Sequence, residues 1–341
     1  MQNVYTDTAA EYQALRGGCG LVDYSGVGLI QVSGSGAAAF LGDVSSRNVD
    51  FLLEGQISAA LVLDDAGTVL TEVLIYCRGT DYLVEIWPAQ AEQARQHILA
   101  AAASYDGAEA EDVSDAYQVY GLEGPESPKI AQKFLPFPIS SMAYRSFVAA
   151  DGEGAVPLLI SRTGVTGEYG YKVQVPAEAA EAVRAQLVEA GAVEAGLDAV
   201  DACRMEMRFP NLERESAGEQ VTPFDLGLQW MVDFQHDFAG KDALLERWKD
   251  GLDRLPVCWV AAEGLTTPPG PGAPLSIEGS TVGSVAHAVW SPSLNRVIGT
   301  ARVDKSVAAA DVEFALGEPT HQVSTISAPF LVATSFGVPL E

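Results

Sequence analysis

The stretch ISAALVLDDAGTVLTEVLIYC, residues 57–77, places two apolar runs on either side of Asp64-Asp65-Ala66-Gly67. Those four residues are turn formers, so the segment predicts an antiparallel hairpin. Short strands and amphipathic helices alternate around it. VGLIQVSG (27–34) has strand composition and leads into the short helix SGAAAFLGDV, and DYLVEIW (81–87) and AYQVYGLEGP (116–125) are further strands. AQAEQARQHILAAAA (89–103) sets Ala91, Ala94, Ile98 and Ala101 on one helical face, and AEAAEAVRAQLVEAGA (177–192) predicts another helix. Hairpins mixed with helices in this order predict an α+β fold rather than a doubly wound parallel sheet.

Composition changes near residue 251. GLTTPPGPGAPLSIEG (264–279) is rich in Pro and Gly and predicts irregular chain. The short runs TVGSVAHAV, VIGTARV, DVEFAL, HQVSTI and PFL follow at the spacing of a small antiparallel barrel or sandwich. The expected division is a core over 1–250, made of two interleaved α+β subdomains, and an all-β domain over 251–341.

Twenty Lys and Arg stand against 46 Asp and Glu, a formal net charge of −26. Such a surface repels phosphate backbones and anionic lipid, which argues against nucleic-acid or membrane-surface partners. Cys19, Cys77, Cys203 and Cys258 lack C-x-x-C spacing, as expected of reduced thiols. Neither a secretory signal nor a run of 18 apolar residues is evident, so the expected location is cytoplasmic.

Several chemistries lack a motif. VSGSGAAAF (32–40) imitates a dinucleotide fingerprint but lacks its full spacing and acid. His97, His236, His287 and His321 are scattered, so no metal site is expected. No G-x-S-x-G elbow is present.

Two carboxylates stand out. In SRTGVTGEYGYKVQV (161–175), Gly164, Gly167 and Gly170 surround Glu168. The turn is either a hairpin with an exposed acid or a rigid acceptor for the paired donors of an amino-heterocycle. Glu72 lies mid-strand, with Leu70 and Leu74 on its own face and Thr71, Val73 and Ile75 on the other. It is either on a wet face or buried with a partner, where acid–base work is possible. Asp201, Arg204 and Arg208 recur at helical spacing, as internal ion pairs or, for Arg204, as a receptor for a ligand's anionic tail. Trp230 and Phe234 read first as core and second as stacking residues.

Taken in order, these segments resemble the aminomethyltransferase family, the glycine-cleavage T-protein and its folate-dependent relatives. AEYQALRGGCGLVDYSGVGLIQVSGSGAAAFL resembles the family opening, and GQISAALVLDDAGTVLTEVLIY the hairpin after it. RTGVTGEYGYKV resembles R-T-G-Y-T-G-E-x-G-[FY]-E. GLDAVDACRMEMRFPNLERE, TPFDLGLQWMVDFQHDFAGKDAL and HAVWSPSLNRVIGTARV match later blocks. The resemblance implies a three-domain cloverleaf around a tetrahydrofolate pocket, with an antiparallel β-barrel at the C-terminal end. It implies that Glu168 meets the pterin edge, with Gly167, Tyr169, Arg204, Trp87 and Trp230 as further cofactor contacts.

The departures fall on particular positions. The second aspartate of the family hairpin is Glu72, which reaches roughly an ångström further. The expected tyrosine is Ala59, the expected asparagine gives way to Ile86-Trp87-Pro88, and the first arginine of A-R-D-x-x-R is Val200. The implied function is transfer of a methyl group from a small N-, O- or S-methylated substrate to tetrahydrofolate. Glu72 is the candidate for orienting folate or shuttling a proton, and Tyr24 and Tyr144 are candidate phenolic acids. A non-catalytic folate-binding assembly protein is the competing expectation, but its K-G-C-[FY]-x-G-Q-E motif is replaced by ERESAGEQVTPFDLGL. Glycine cleavage proper is disfavoured by Ala59, Thr71 and Val200.

Overall fold

The computed structural model describes residues 2–317 and 320–340. The hairpin forms as its sequence demands. Asp64 Oδ1 accepts the Ala66 and Thr68 amides, and Gly67 turns the chain at φ +77°. The strands Ile57–Leu63 and Val69–Cys77 then pair antiparallel, with Leu61 opposite Glu72. Three more strands, Asp81–Ile86, Gly28–Ser33 and Glu109–Asp112, complete an antiparallel five-stranded sheet. The helices Ala37–Val44 and Ala91–Ala102 pack on one of its faces, burying Phe40, Leu41, Ala94 and Ile98 against Ile30, Val73 and Ile75. The imitation fingerprint is a close backbone crossing: a Cβ on Gly34 would lie 2.2 Å from the Gly107 carbonyl oxygen.

A second sheet has six strands, in the order Val193–Glu194, Gly20–Asp23, Tyr117–Glu123, Gly170–Pro176, Pro157–Ser161 and Phe147–Asp151. Only the pairing of 193–194 with 20–21 is parallel. Tyr171, Val173 and Val175 face a core closed by Val183 and Leu187 of the helix Ala180–Glu189. Lys172 and Gln174, one residue out of phase, face the other way. The helices Thr8–Gly17 and Leu197–Met207 pack together between the sheets, with Tyr12, Leu15, Val200 and Cys203 buried against Leu29, Tyr76 and Leu83.

The third lobe is a closed six-stranded barrel whose strands run from Arg254 to Ile326. Two expectations are corrected here. The Pro/Gly-rich stretch ends in a strand, Pro274–Ile277, with its proline at the first position, where a missing N–H is tolerated. PFL is not a strand. Phe330 leaves the barrel, gives its amide to the Glu206 carbonyl, and directs the chain back toward the core.

Two buried polar assemblies join barrel to core. His287 Nε2 lies 2.7 Å from Asp201 on the helix Leu197–Met207. Burial alone would raise the Asp201 carboxyl, but His287, Arg214 and Asn211 hold it below the usual range. Glu206, also on that helix, accepts from Tyr12, Arg16 and the barrel's Ser291. The four cysteines are free and buried. Among the described residues no helix is long and apolar enough to cross a membrane, and none of the His, Cys, Asp and Glu side chains cluster as a metal site.

Candidate functional site

The two sheets and the chain from Arg204 to Met231 enclose a cavity of about 320 Å³. One wall carries Ala59, Glu72 and Leu74 from the hairpin, with Glu85 and Trp87 beside them. The second sheet contributes Thr163, Gly164, Val165 and Lys172, and the end of the helix Leu197–Met207 contributes Arg204, Met207 and Arg208. Tyr144 and Trp230, 58% and 57% exposed, stand at the mouth. Four lining residues are cationic (Arg145, Lys172, Arg204, Arg208) and two are acidic (Glu72, Glu85). Glu85 pairs with Lys172 and Glu215 with Arg208, which leaves Arg145 and Arg204 as the cations that can answer an anionic group, opposite the acid Glu72.

Glu72 projects from the half-buried face of its strand, while Thr71, Val73 and Ile75 enter the core. Arg204 is only 4% exposed, and its guanidinium lies 4.5 Å from the Trp87 ring centre. It donates to the Phe209 and Pro210 carbonyls, yet Nη1 has no partner. A buried guanidinium N–H without an acceptor is costly to maintain, which marks a place for a ligand oxygen.

The glycine turn holds its acid elsewhere. Glu168 is not among the lining residues. Its Oε1 accepts from Arg16 Nη1 at 3.1 Å and the Thr334 amide at 3.0 Å, and its Oε2 from the Ser335 amide at 2.7 Å and hydroxyl at 2.6 Å. Four donors saturate a carboxylate, so no acceptor capacity is left for a heterocycle. Gly167 and Tyr169 follow it. A Cβ on Gly167 would lie 2.3 Å from Met207 Cγ, one layer behind the cavity. Tyr169 gives its hydroxyl to the Val338 carbonyl and its amide to Ser335 Oγ.

Tyr24 is also displaced from its expected role. It is 1% exposed, packs edge-on behind Trp87 with ring centres 5.4 Å apart, and does not line the cavity. Burial pushes its phenol well above the usual range, which makes it a poor proton donor. Tyr144, Arg204, Trp87 and Trp230 do line the cavity, whereas Val200 lies in the core.

Sequence reasoning passed over Lys172 and Glu85, which form a buried ion pair in the cavity wall. A signal was present. DYLVEIW and GYKVQV each set one charge between apolar neighbours on a strand, the criterion that singled out Glu72. Behind them Glu123 is fully buried, accepting the Val165 amide and the Thr166 hydroxyl. Burial pushes its carboxyl up to about 7, against the pull of those donors and of Lys172.

An α+β scaffold closed around an aromatic-lined cavity with a few inward polar groups defines a small-molecule-binding protein. Residues 1–236 match the family described as GCVT N-terminal domain, and residues 257–331 match the glycine cleavage T-protein C-terminal barrel domain. The aminomethyltransferase of Halothermothrix orenii is 32% identical over 96% of this chain and 92% of its own length. That of Streptomyces coelicolor is 31% identical over 91% and 84%. The crystal structure of aminomethyltransferase T from Bartonella henselae superposes with a TM-score of 0.84 at 21% identity, over 96% of this chain and 90% of that one. The chain belongs to the glycine-cleavage T-protein, or aminomethyltransferase, family. It is accordingly a folate-dependent one-carbon-group transferase that takes tetrahydrofolate.

The residues present fit that group. Glu72 supplies an open carboxylate for N–H donors, Trp87 and Phe209 supply flat apolar surface, and the free Arg204 Nη1 answers a carbonyl or carboxylate oxygen.

Proposed function

We propose that this enzyme moves a methyl group from a small N-, O- or S-methylated substrate to tetrahydrofolate. Folate supplies the nucleophilic nitrogen that accepts the carbon. Glu72 orients the folate and takes up the proton that nitrogen sheds, Arg204 holds an anionic or carbonyl oxygen, and Trp87 with Ala59 forms an apolar flank for the methyl donor. A cavity walled by the two sheets and the chain from Arg204 to Met231 holds the two reactants together, which lowers the entropic part of the barrier. One observation carries the choice of donor: Trp87, pinned beneath Arg204, presents a ring where the resemblance expects an amide, and Ala59 presents a methyl where it expects a phenol. That wall suits an apolar methylated group better than an aminomethyl group needing polar partners.

The names of the relatives favour a second reading, aminomethyl transfer. Purified protein, tetrahydrofolate and a panel of methylated amines, thioethers and methoxyarenes, assayed for methyl-folate, separate the two. Turnover with a panel member supports demethylation. Turnover only with an aminomethyl donor gives the site to the second reading.

A further inference from the structure

We propose that Lys172 is the proton donor to the group that departs when the one-carbon unit moves, with Glu85 holding its ammonium in place. The inference rests on the methyl-transfer reading of the cavity.

Lys172 and Glu85 are 5% and 7% exposed, and the Lys172 ammonium donates to Glu85 Oε1. The other Glu85 oxygen accepts the Tyr76 hydroxyl at 2.7 Å, so both carboxylate oxygens are engaged. Tyr76 is fixed in turn by its core position and by Ser161 Oγ at 3.4 Å. Lys172 has more to give. An ammonium carries three N–H groups. Glu85 takes one, and the Tyr24 ring, with its centre 5.2 Å from Nζ, offers only a diffuse attraction.

Lys172 also lines the cavity, so its ammonium sits in the wall beside the space a substrate would occupy. Arg145, Arg204 and Arg208 line it too, but a guanidinium orients without releasing its proton. Tyr144 stands at the wet mouth, and Tyr24 lies behind the wall. Among the described lining residues, Lys172 is the one cation that can give a proton up.

The step balances without an outside reagent. The bond from carbon to the departing nitrogen, oxygen or sulfur breaks, and its electron pair stays on that atom. Lys172 Nζ delivers a proton there, giving a neutral amine, alcohol or thiol. The carbon bonds to the folate nitrogen, whose proton passes to Glu72. Lys172, left as a neutral amine beside Glu85, is reprotonated from Glu72 or solvent as product leaves. The pairing of an open carboxylate with a clamped ammonium gives the cavity one group for each proton movement.

A leaving-group comparison tests this. Lys172→Arg keeps a cation beside Glu85 but cannot release its proton. With a methoxyarene, whose oxygen must be protonated, the variant is expected to lose about 10²-fold or more in single-turnover rate. With a sulfonium betaine, which departs neutral, it is expected to stay near wild type. Tetrahydrofolate affinity by calorimetry should be unchanged in both. Equal rates with the methoxyarene, or equal losses with both donors, overturn the proposal. If Lys172→Arg does not fold, the neutral pair Lys172→Gln with Glu85→Gln carries the same comparison. A second readout needs no turnover. In folate-loaded protein labelled at its lysine ε-carbons, the resonance lost in Lys172→Arg should shift when the demethylated phenol is added, and no shift also overturns the proposal. If wild type turns over neither donor, the demethylase reading fails and this resonance alone judges Lys172.

Discussion

The Ser335 hydroxyl donates to Glu168 at 2.6 Å, joining residues 167 positions apart in the chain. The contact turns the glycine-rich loop into an anchor for the returning C-terminal segment. Arg16 completes it, bridging Glu168 and Glu206, so one cation ties the first helix, the loop and the interdomain helix together.

Glu168→Ala should therefore destabilise the protein. Removing one partner of a buried charge cluster costs about 3–5 kcal/mol, although Glu206 remains to pair Arg16. Urea titration should show that loss, and limited proteolysis should cut within residues 328–340 first. Calorimetry should find tetrahydrofolate affinity reduced less than about fivefold, or ~1 kcal/mol. The opposite pattern, lost affinity with stability intact, would return the pterin contact to Glu168.

Glu72→Gln keeps the shape of a side chain in the cavity wall but removes its charge and basicity. The expected result is a single-turnover rate lower by about 10²-fold or more, with folate affinity down by less than tenfold. Rapid-quench measurement of methyl-folate formation checks the first and calorimetry the second. An unchanged rate reduces Glu72 to a tolerated strand acid.

Glu123 makes stability fall as pH rises. Its folded carboxyl titrates at about 7 against 4.5 unfolded, so between those values the native state binds more protons than the unfolded one. The associated stability is fully present below 4.5 and is lost as pH rises through 7. At about 1.4 kcal/mol per pH unit the window is worth on the order of 3 kcal/mol. Glu123→Gln, neutral throughout, should gain on wild type by that order between pH 4.5 and 8 in denaturant titrations. A difference independent of pH would show that burial does not raise this carboxyl.

The antiparallel hairpin, the helices over 91–102 and 180–189, and most barrel strands were legible because alternation, helical period and turn chemistry act over a few residues. The place of Glu72 on its strand was legible for the same reason, but alternation left open whether it met water or a buried partner. PFL misled because three apolar residues read alike whether they pair in a sheet or, as with Phe330, fold back on Glu206. Lys172 and Glu85 were each readable as strand charges, but their pairing joins different sheets.

The order of residues alone determined the antiparallel hairpin, the amphipathic helices over 91–102 and 180–189, and an all-β lobe built from short strands after residue 251. Tertiary structure decided which acid stands open in the cavity and which is consumed as a fastener. Glu72 and Glu168 look equally available along the chain, and only the arrival of Arg16, Thr334 and Ser335 from distant segments separates them. A carboxylate's chemistry depends on how many of its lone pairs are already taken, and no local pattern records that number.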